Sequence, residues 1–294
     1  MSTPPLLFDR RLRRLRASSA RGQSSLRREV LDDIGDRLLG RLEGVKRRFE
    51  RILVAGSSAS SLFDGLRRLY PDAALFHMQE GNTLWDGQGS IAKLCAGVTH
   101  VPFAASAFDL VLCVMEHHAV DDLPGSLAQL TRILQPDGLL LSVFPGGETL
   151  WQLRYAMLQA EIAQGGGAAP RVMPCVDVRD AGALLQRAGL ALPVADIDRI
   201  ELTYAHPLAL VAELRALSET SCLMETVHRP VVRSVLEHFM RIYSTELCDD
   251  RGRAKVTIEL VFMTGWVPHE SQPAPLRPGS AKLHFLDGLG KTTS

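Results

Sequence analysis

The sequence lacks any apolar run approaching the roughly 18–20 residues that a membrane-spanning helix requires. Its start also lacks the apolar segment of a secretory signal, although the arginines and serines there are faintly similar to a mitochondrial transit peptide. Asp9 stands among those arginines and a helical pattern follows at once, which counts against that similarity. We therefore expect a protein of the cytoplasm, with peripheral contact at the inner membrane as an alternative.

Paired cysteines are missing as well. Five cysteines are scattered along the chain without any Cys-x-x-Cys pair. This odd, dispersed set argues against a disulfide framework and against a structural zinc, and it suits a reducing compartment. No spacing of histidines and acids matches a metal-binding motif, so we predict no metal site.

The formal net charge is zero, but the signs are unevenly distributed. Residues 1–51 contain 14 Lys or Arg against 7 Asp or Glu, a net charge of +7, so the remainder carries −7. A basic N-terminus can meet an acidic partner protein, an anionic membrane or nucleic acid, whereas a charge run is more commonly a solvated helix face. We expect a protein partner, with peripheral membrane contact as the alternative and no specific nucleic acid.

A short apolar run that breaks into a Gly/Ser turn and then a helical pattern marks the organising unit of the chain, Arg51 to Ser60. From there apolar strands and amphipathic helices alternate, which is typical of a parallel α/β sheet. The patterns predict strands near residues 51–56, 74–78, 97–101, 108–114 and 138–144. They predict helices over residues 60–70, 83–94 and 122–134.

The second half of the chain has a different pattern of apolar and charged residues. Helices are predicted over residues 149–163 and 177–189, and strands near 195–204 and 254–266 alternate apolar and charged residues like an antiparallel edge pair. We predict three segments: a basic helical segment (1–50), a domain with a helical insertion at about 207–247 (51–267), and a Pro-rich tail (268–294). The expected fold is a Rossmann-like parallel sheet with an antiparallel edge pair.

The turn after the first strand suits a nucleotide-like ligand, because backbone N–H groups at a helix N-terminus face it. Only Gly56 is a glycine, however. Ser58 and Ser60 stand where such loops usually have more glycines, and their Cβ atoms are expected to crowd the approach and disfavour a positive φ.

Several stretches resemble class I S-adenosylmethionine (SAM)-dependent methyltransferases, including Val101-Pro102-Phe103, Ser106 to Val111, and Leu134 to Leu139. More specific segments resemble the bacterial relatives of a mitochondrial complex I assembly factor. These segments are Phe8-Asp9-Arg10, Gly146 to Leu150, Asp177 to Asp180, Thr264-Gly265-Trp266 and Leu276 to Ser280. The resemblance implies a methyltransferase fold and SAM as cofactor, in a family whose mitochondrial member is associated with arginine hydroxylation of a complex I subunit.

The resemblance also assigns cofactor positions, and the chain departs from the family there. The positions lie in the first loop and at the end of the second strand: Val54, Gly56, Ser58, Ser60, Met78, Gln79 and Glu80. The family pattern has acids at Val54, at the end of the second strand and near Gly97, and glycines at Ser58 and Ser60. Glu80 is the nearest substitute for the acid that would bind the ribose hydroxyls.

Glu116, His117 and His118 follow the fourth strand, at the rim where methyl acceptors sit in the family. His118 matches the family position, so it is our first catalytic candidate, with a structural role as the alternative. Glu148 after the fifth strand is the second, because a carboxylate binds a substrate guanidinium well. Its alternative role is to cap the following helix.

Two functions remain open from these residues. The first is a SAM-dependent methyltransferase-like enzyme that modifies a protein side chain in respiratory complex assembly. The second is an assembly or binding factor that has kept the methyltransferase fold and lost the chemistry. A methyltransferase for a small molecule or an acyl carrier is favoured by the fold alone, and fold alone does not decide function.

Overall fold

A computed structural model describes residues 6–19, 24–80, 91–165, 167–225 and 230–273 of the chain. The chain forms a seven-stranded sheet with helices on both faces. The strands are β1 (Arg51–Gly56), β2 (Ala74–Gln79), β3 (Ala92–Cys95), β4 (Phe108–Val114), β5 (Leu134–Pro145), β6 (Ala191–Tyr204) and β7 (Ala254–Trp266).

The strands lie in the order β3-β2-β1-β4-β5-β7-β6. The first five are parallel, and β7 pairs antiparallel with both β5 and β6. This arrangement confirms the predicted Rossmann-like sheet with an antiparallel edge pair. Because the chain runs outward from β1 in one direction and from β4 in the other, the sheet has a topological switch point between those two strands.

The two central strands are buried on both sides. All seven residues of β4 are buried, and so are the last five of β1. A strand covered on both faces reads as a continuous apolar run, which is why the sequence pattern located these two strands correctly.

Eight α-helices and a short 3-10 helix, His117–Ala119, occur in the described ranges. The α-helices are α1 (Arg10–Ser19), α2 (Ser24–Glu43), α3 (Ser60–Leu69), α4 (Leu123–Ile133), α5 (Trp151–Ile162), α6 (Val178–Arg187), α7 (Pro207–Leu217) and α8 (Arg233–Glu246). Helices α2 and α3 bury their apolar side chains in one core of the sheet, while α4 and α6 do so on the opposite face. The predicted N-terminal segment therefore shares a core with the sheet through α2.

The predicted helical insertion is α7 and α8. Helix α8 packs Phe239 and Tyr243 against α5, in a third core that also takes Leu153 and Val256. Together α5, α7 and α8 pack on the edge pair, in a core that includes Tyr204 of β6 and Ala254 of β7.

The third strand was placed wrongly by the sequence pattern. The strand is Ala92–Cys95, and residues 97–101 form a loop. Val98 and Val101 are buried from that loop against the α4 face, so their apolar pattern imitates a strand. The observed strand is half-exposed and lacks an apolar run. Most of the predicted helix 83–94 lies outside the described residues, as does the tail beyond Pro273.

A buried carboxylate fixes the entry to β1. Asp109, 3% exposed at the start of β4, accepts hydrogen bonds from the backbone N–H groups of Glu50 (2.7 Å) and Arg51 (3.0 Å). We expect Asp109→Ala to lower the free energy of unfolding by about 2 kcal/mol, because two buried donors lose a charged acceptor. Urea unfolding measures this, with Asp64→Ala on the exposed face of α3 as control. Equal losses in both variants would contradict the prediction.

No helix in the described part of the chain is both long enough and apolar enough to cross a membrane.

Candidate functional site

The carboxyl ends of β1 and β4 meet at the switch point, where open α/β sheets bind their ligands. Two residues there have unusual backbone conformations. Gly56 ends β1 with φ +100°, and Met115 follows β4 with φ +55°. A left-handed conformation is uncommon for a bulky residue, and such strain often occurs at functional sites. It directs the Met115 carbonyl and the next side chain, Glu116, to the rim.

The loop after β1 differs from the sequence-based expectation. Neither Ser58 nor Ser60 needs a positive φ, because Gly56 makes the turn alone. His77 of β2 pins the loop, since its Nε2 lies 2.9 Å from the Gly56 carbonyl oxygen and 3.3 Å from the Ser58 hydroxyl. Burial lowers the pKa of His77, which favours a neutral ring that donates from Nε2. The N-cap residue of α3, Ala59, makes no side-chain hydrogen bond to the first N–H groups of that helix.

Helix α1 lies against this rim through its arginines. Arg13 donates to the Glu116 carboxylate (3.0 Å) and to the Met115 carbonyl (2.9 Å). Arg10 and Arg14 both pair with Glu80 at the end of β2. The basic charge expected to face a partner is thus in part neutralised inside the chain.

A second charged group lies beside the loop. Arg27 of α2, only 9% exposed, donates to the Ser57 hydroxyl (3.0 Å) and to the Leu217 carbonyl. The His118 Nε2 lies 3.0 Å from the Glu219 carboxylate. The Arg27 Nε and the His118 Nδ1 are buried, and neither has a hydrogen-bond partner among the residues that the structure describes.

The pKa values of this group depend on each other. Burial lowers the pKa of Arg27, and the nearby Glu219 opposes that change. Burial alone would raise the pKa of Glu219, but His118, Arg13 and Arg27 outweigh it and lower the value to about 2. Glu219 therefore stays ionised under ordinary conditions and neutralises the surrounding cations.

The predicted cofactor residues are only partly exposed to the rim. Val54 and Met78 are fully buried in the two cores, so their side chains have no surface for a ligand. Gln79 is also buried. Glu80 lies at the expected rim position, but Arg10 and Arg14 already bind its carboxylate.

Glu148 lies apart from the cluster. It is exposed in the turn after β5, and no hydrogen bond or ion pair of its carboxylate occurs among the described residues. The expected helix cap is also wrong, because α5 begins at Trp151 after Leu150, without a side-chain cap bond.

The contacts of His117, the neighbour of His118, are those of a residue with a structural role. His117 is buried, with its Nδ1 2.8 Å from the Ser142 hydroxyl. Burial, helped by the nearby His118, lowers its pKa to about 3, so the ring is neutral. Within the described ranges, no group of three or more His, Cys, Asp or Glu side chains is arranged to hold a metal ion.

Sequence reasoning missed Arg13, Arg27 and Glu219 as rim residues. Arg27 bonds a residue 190 positions away, so no local spacing could indicate the contact. The assembled rim offers a buried guanidinium beside an open helix start, which suits a carboxylate ligand. It also offers Glu116 and a carbonyl that already hold a guanidinium.

Comparison of the sequence with known proteins identifies a family and two relatives. The family described as a methyltransferase domain matches residues 75–142. The mitochondrial arginine-hydroxylase NDUFAF5 of Danio rerio is 30% identical over 98% of this chain and 92% of its own length. A malonyl-[acyl-carrier protein] O-methyltransferase of Laribacter hongkongensis is 28% identical over 92% of this chain and 95% of its own.

A solved structure agrees with the fold. It is a methyltransferase-like protein of Bacillus halodurans, with a TM-score of 0.54 and 12% identity, covering 79% of this chain and 98% of that chain. At this identity the likeness concerns the fold.

Proposed function

Because the chain belongs to the family of the arginine-hydroxylase NDUFAF5, which has a methyltransferase fold, we propose that it binds SAM and modifies a protein side chain during respiratory complex assembly. The name of the zebrafish relative makes arginine the side chain to test first. The observation that carries the cofactor part is the buried Arg27 beside the Gly56 loop.

The residues at the rim fit the amino-acid end of SAM. Among the described residues, the Arg27 Nε has no partner and no side chain caps the start of α3, while Arg27 donates to the Ser57 hydroxyl. A carboxylate at this place would receive charge-assisted hydrogen bonds from Arg27 and from the start of α3. The ribose end fits less completely, since Glu80 must share its carboxylate with Arg10 and Arg14.

When bound, SAM supplies an electrophilic methyl group. The chain's own part is to orient the acceptor and receive its proton. We propose that His118 contacts the substrate through its Nδ1, which has no partner among the described residues. The His118 side chain is 2% exposed and held by Glu219, so a substrate reaches it only when the rim opens. Glu148 stays a proposed substrate contact at the outer rim, where an approaching protein would meet its exposed carboxylate.

The first experiment is calorimetric titration of the full chain with SAM and S-adenosylhomocysteine, after mass spectrometry has checked for ligand carried through purification. We expect binding. Incubation of arginine peptides with SAM, under air and with an added reductant so that dioxygen can serve as oxidant, then distinguishes products by the added mass, a methyl group or an oxygen atom.

Arg27→Met is expected to weaken SAM binding by about 10- to 100-fold, because a charge-assisted hydrogen bond contributes about 1.5–3 kcal/mol. The matched control is Arg28→Met, since Arg28 is the exposed neighbour on the same helix. Equal affinities in the two variants would show that Arg27 does not hold the carboxylate.

The alternative function is a binding or assembly factor without catalysis. One observation favours it: the carboxylate of Glu80, the nearest substitute for the ribose-binding acid, is bonded to two arginines of α1. In that case the folded chain shows no heat of SAM binding at millimolar concentration, and the search turns to protein partners.

The compartment is a proposal too. The five cysteines all lie in described parts of the chain and are free thiols, which supports a reducing compartment such as the cytoplasm. Contact with the inner membrane through the basic N-terminus stays the alternative.

A further inference from the structure

We propose that the carboxyl end of β4 is a guanidinium-binding site, that the chain's own Arg13 occupies it in this structure, and that an arginine of a protein substrate takes the same place when α1 moves away. The inference rests on the proposed arginine-directed function and assigns the substrate a place at the same rim. We call Glu116 together with the Met115 carbonyl the guanidinium site.

The contacts match a guanidinium rather than an ammonium group. Two different nitrogens of Arg13 donate to two different acceptors, Nη1 to the Glu116 carboxylate at 3.0 Å and Nη2 to the Met115 carbonyl at 2.9 Å. A planar fork of donors meets two such acceptors at once, whereas a lysine offers a single charged point. The left-handed Met115 aims its carbonyl so that this fork is possible.

The site requires a cation. The Glu116 side chain is 9% exposed, and in the described ranges its ion pair is with Arg13. Removing one partner of a buried ion pair leaves an uncompensated charge, which is strongly unfavourable. A guanidinium that replaces Arg13 when α1 departs restores this compensation, and the arginine of a substrate would supply it.

The guanidinium site also lies next to the loop where the cofactor is proposed to bind, which is where a reacting side chain has to be. Glu116 packs over Gly56, because a Cβ atom on that glycine would lie 2.5 Å from the Glu116 Cγ. The Gly56 loop is where the cofactor is proposed to bind. A guanidinium held by Glu116 thus lies at the switch point, beside the cofactor loop.

Helix α1 is attached in a way that permits release. Besides Arg13, it makes further polar contacts: Arg10 and Arg14, whose side chains are 37% and 56% exposed, pair with Glu80. Arg10 also donates to the Thr99 hydroxyl, Arg16 donates to the carbonyls of Thr220 and Ser221, and the Ser218 hydroxyl donates to the Arg16 carbonyl. Exposed pairs contribute little and weaken in salt. Leu15 is 56% exposed, so the helix buries little apolar surface there. The buried anchor is Phe8, which precedes the helix, packs on Leu223 and could stay in place while the helix moves.

The test compares the affinity of the full chain for an arginine peptide before and after the internal occupant is removed. The probe is acetyl-Gly-Arg-Gly-amide, and its lysine counterpart is the specificity control. We expect Arg13→Met to bind the arginine peptide about tenfold more tightly than the natural chain. This factor corresponds to a site that Arg13 fills about nine-tenths of the time in the natural chain, since the peptide binds only the unfilled fraction. Arg11→Met, on the exposed face of the same helix, should bind like the natural chain.

A second measurement tests whether a guanidinium ion restores the stability that Arg13→Met loses. Millimolar ethylguanidinium should raise the melting temperature of Arg13→Met and leave that of Arg11→Met unchanged, since the ion refills the site. If Arg13→Met does not fold, Arg13→Lys takes its place, because a lysine keeps the charge but lacks the planar fork of two nitrogens that meets both acceptors in the natural chain.

An unchanged affinity for the arginine peptide, without ethylguanidinium rescue, would overturn the inference. Equal gains for the lysine peptide would do the same, since they would show a general opening of the rim. Neither result depends on SAM, so failure here is distinct from failure of the cofactor titration. Conversely, absent SAM binding leaves the peptide comparison fully interpretable.

Discussion

Gly56→Ala is expected to lower the free energy of unfolding by about 4 kcal/mol, as the sum of backbone strain and overpacking. The φ of +100° is one that side chains rarely adopt. The new Cβ would also overlap the Val114 carbonyl oxygen and approach the Glu116 Cγ at 2.5 Å. Neither neighbour can yield easily, because Val114 belongs to the paired central strand β4.

The matched control is Gly40→Ala. Gly40 lies in α2, and nothing stands within 4 Å of the position that its Cβ would take. Alanine is the better helix former, so this variant should gain about 0.5–1 kcal/mol. Urea unfolding of both variants measures the contrast. A loss below about 1 kcal/mol for Gly56→Ala would contradict the prediction, because it would show that the loop relaxes and removes most of the overpacking cost.

Glu219→Gln is expected to cost about 3 kcal/mol at neutral pH. In the folded chain the pKa of Glu219 is about 2, against an ordinary value of 4.5, and each unit of difference corresponds to about 1.4 kcal/mol. Burial opposes the lowering, while His118, Arg13 and Arg27 produce it. Glutamine keeps the shape and removes the charge, so the buried Arg27 loses its nearby anion.

The same pKa difference fixes how the cost varies with pH. A carboxylate with a lower pKa in the folded than in the unfolded chain stabilises the fold above the unfolded value, and this stabilisation is lost as the pH falls. The gap between the natural chain and Glu219→Gln should therefore be constant above about pH 5 and narrow between 4.5 and 2. Urea unfolding at several pH values measures the gap.

Other carboxylates titrate in the same range, so the control must share them. Glu237→Gln removes an exposed carboxylate that pairs with Arg233 on α8, and it should change stability by less than about 0.5 kcal/mol at every pH. If the difference in unfolding free energy between the natural chain and Glu219→Gln stays constant down to pH 3, the pKa of Glu219 is not lowered in the folded chain.

The sheet could be derived from the sequence because burial on both faces gives strands a local signature. Residues 52–56 and 110–114 are continuous apolar runs, and each lies within a strand of the structure, Arg51–Gly56 and Phe108–Val114. The edge strand β3 lacks such a run, and the loop residues Val98 and Val101 carry the apolar signal instead. Local patterns therefore predicted the central strands well and misplaced the edge strand β3, whereas the opposite edge strand, β6, was found where its alternating pattern predicted it.

The sequence by itself determined the Gly56 turn, the rim position of Glu116 and His118, and an excess of positive charge before residue 51. Only the tertiary structure decided that this charge turns inward, with Arg13 on Glu116 and Arg27 beside Ser57. The reason is physical: an ion pair depends on distance in space, and these partners lie far apart along the chain. No spacing within a helix or a strand could have indicated them.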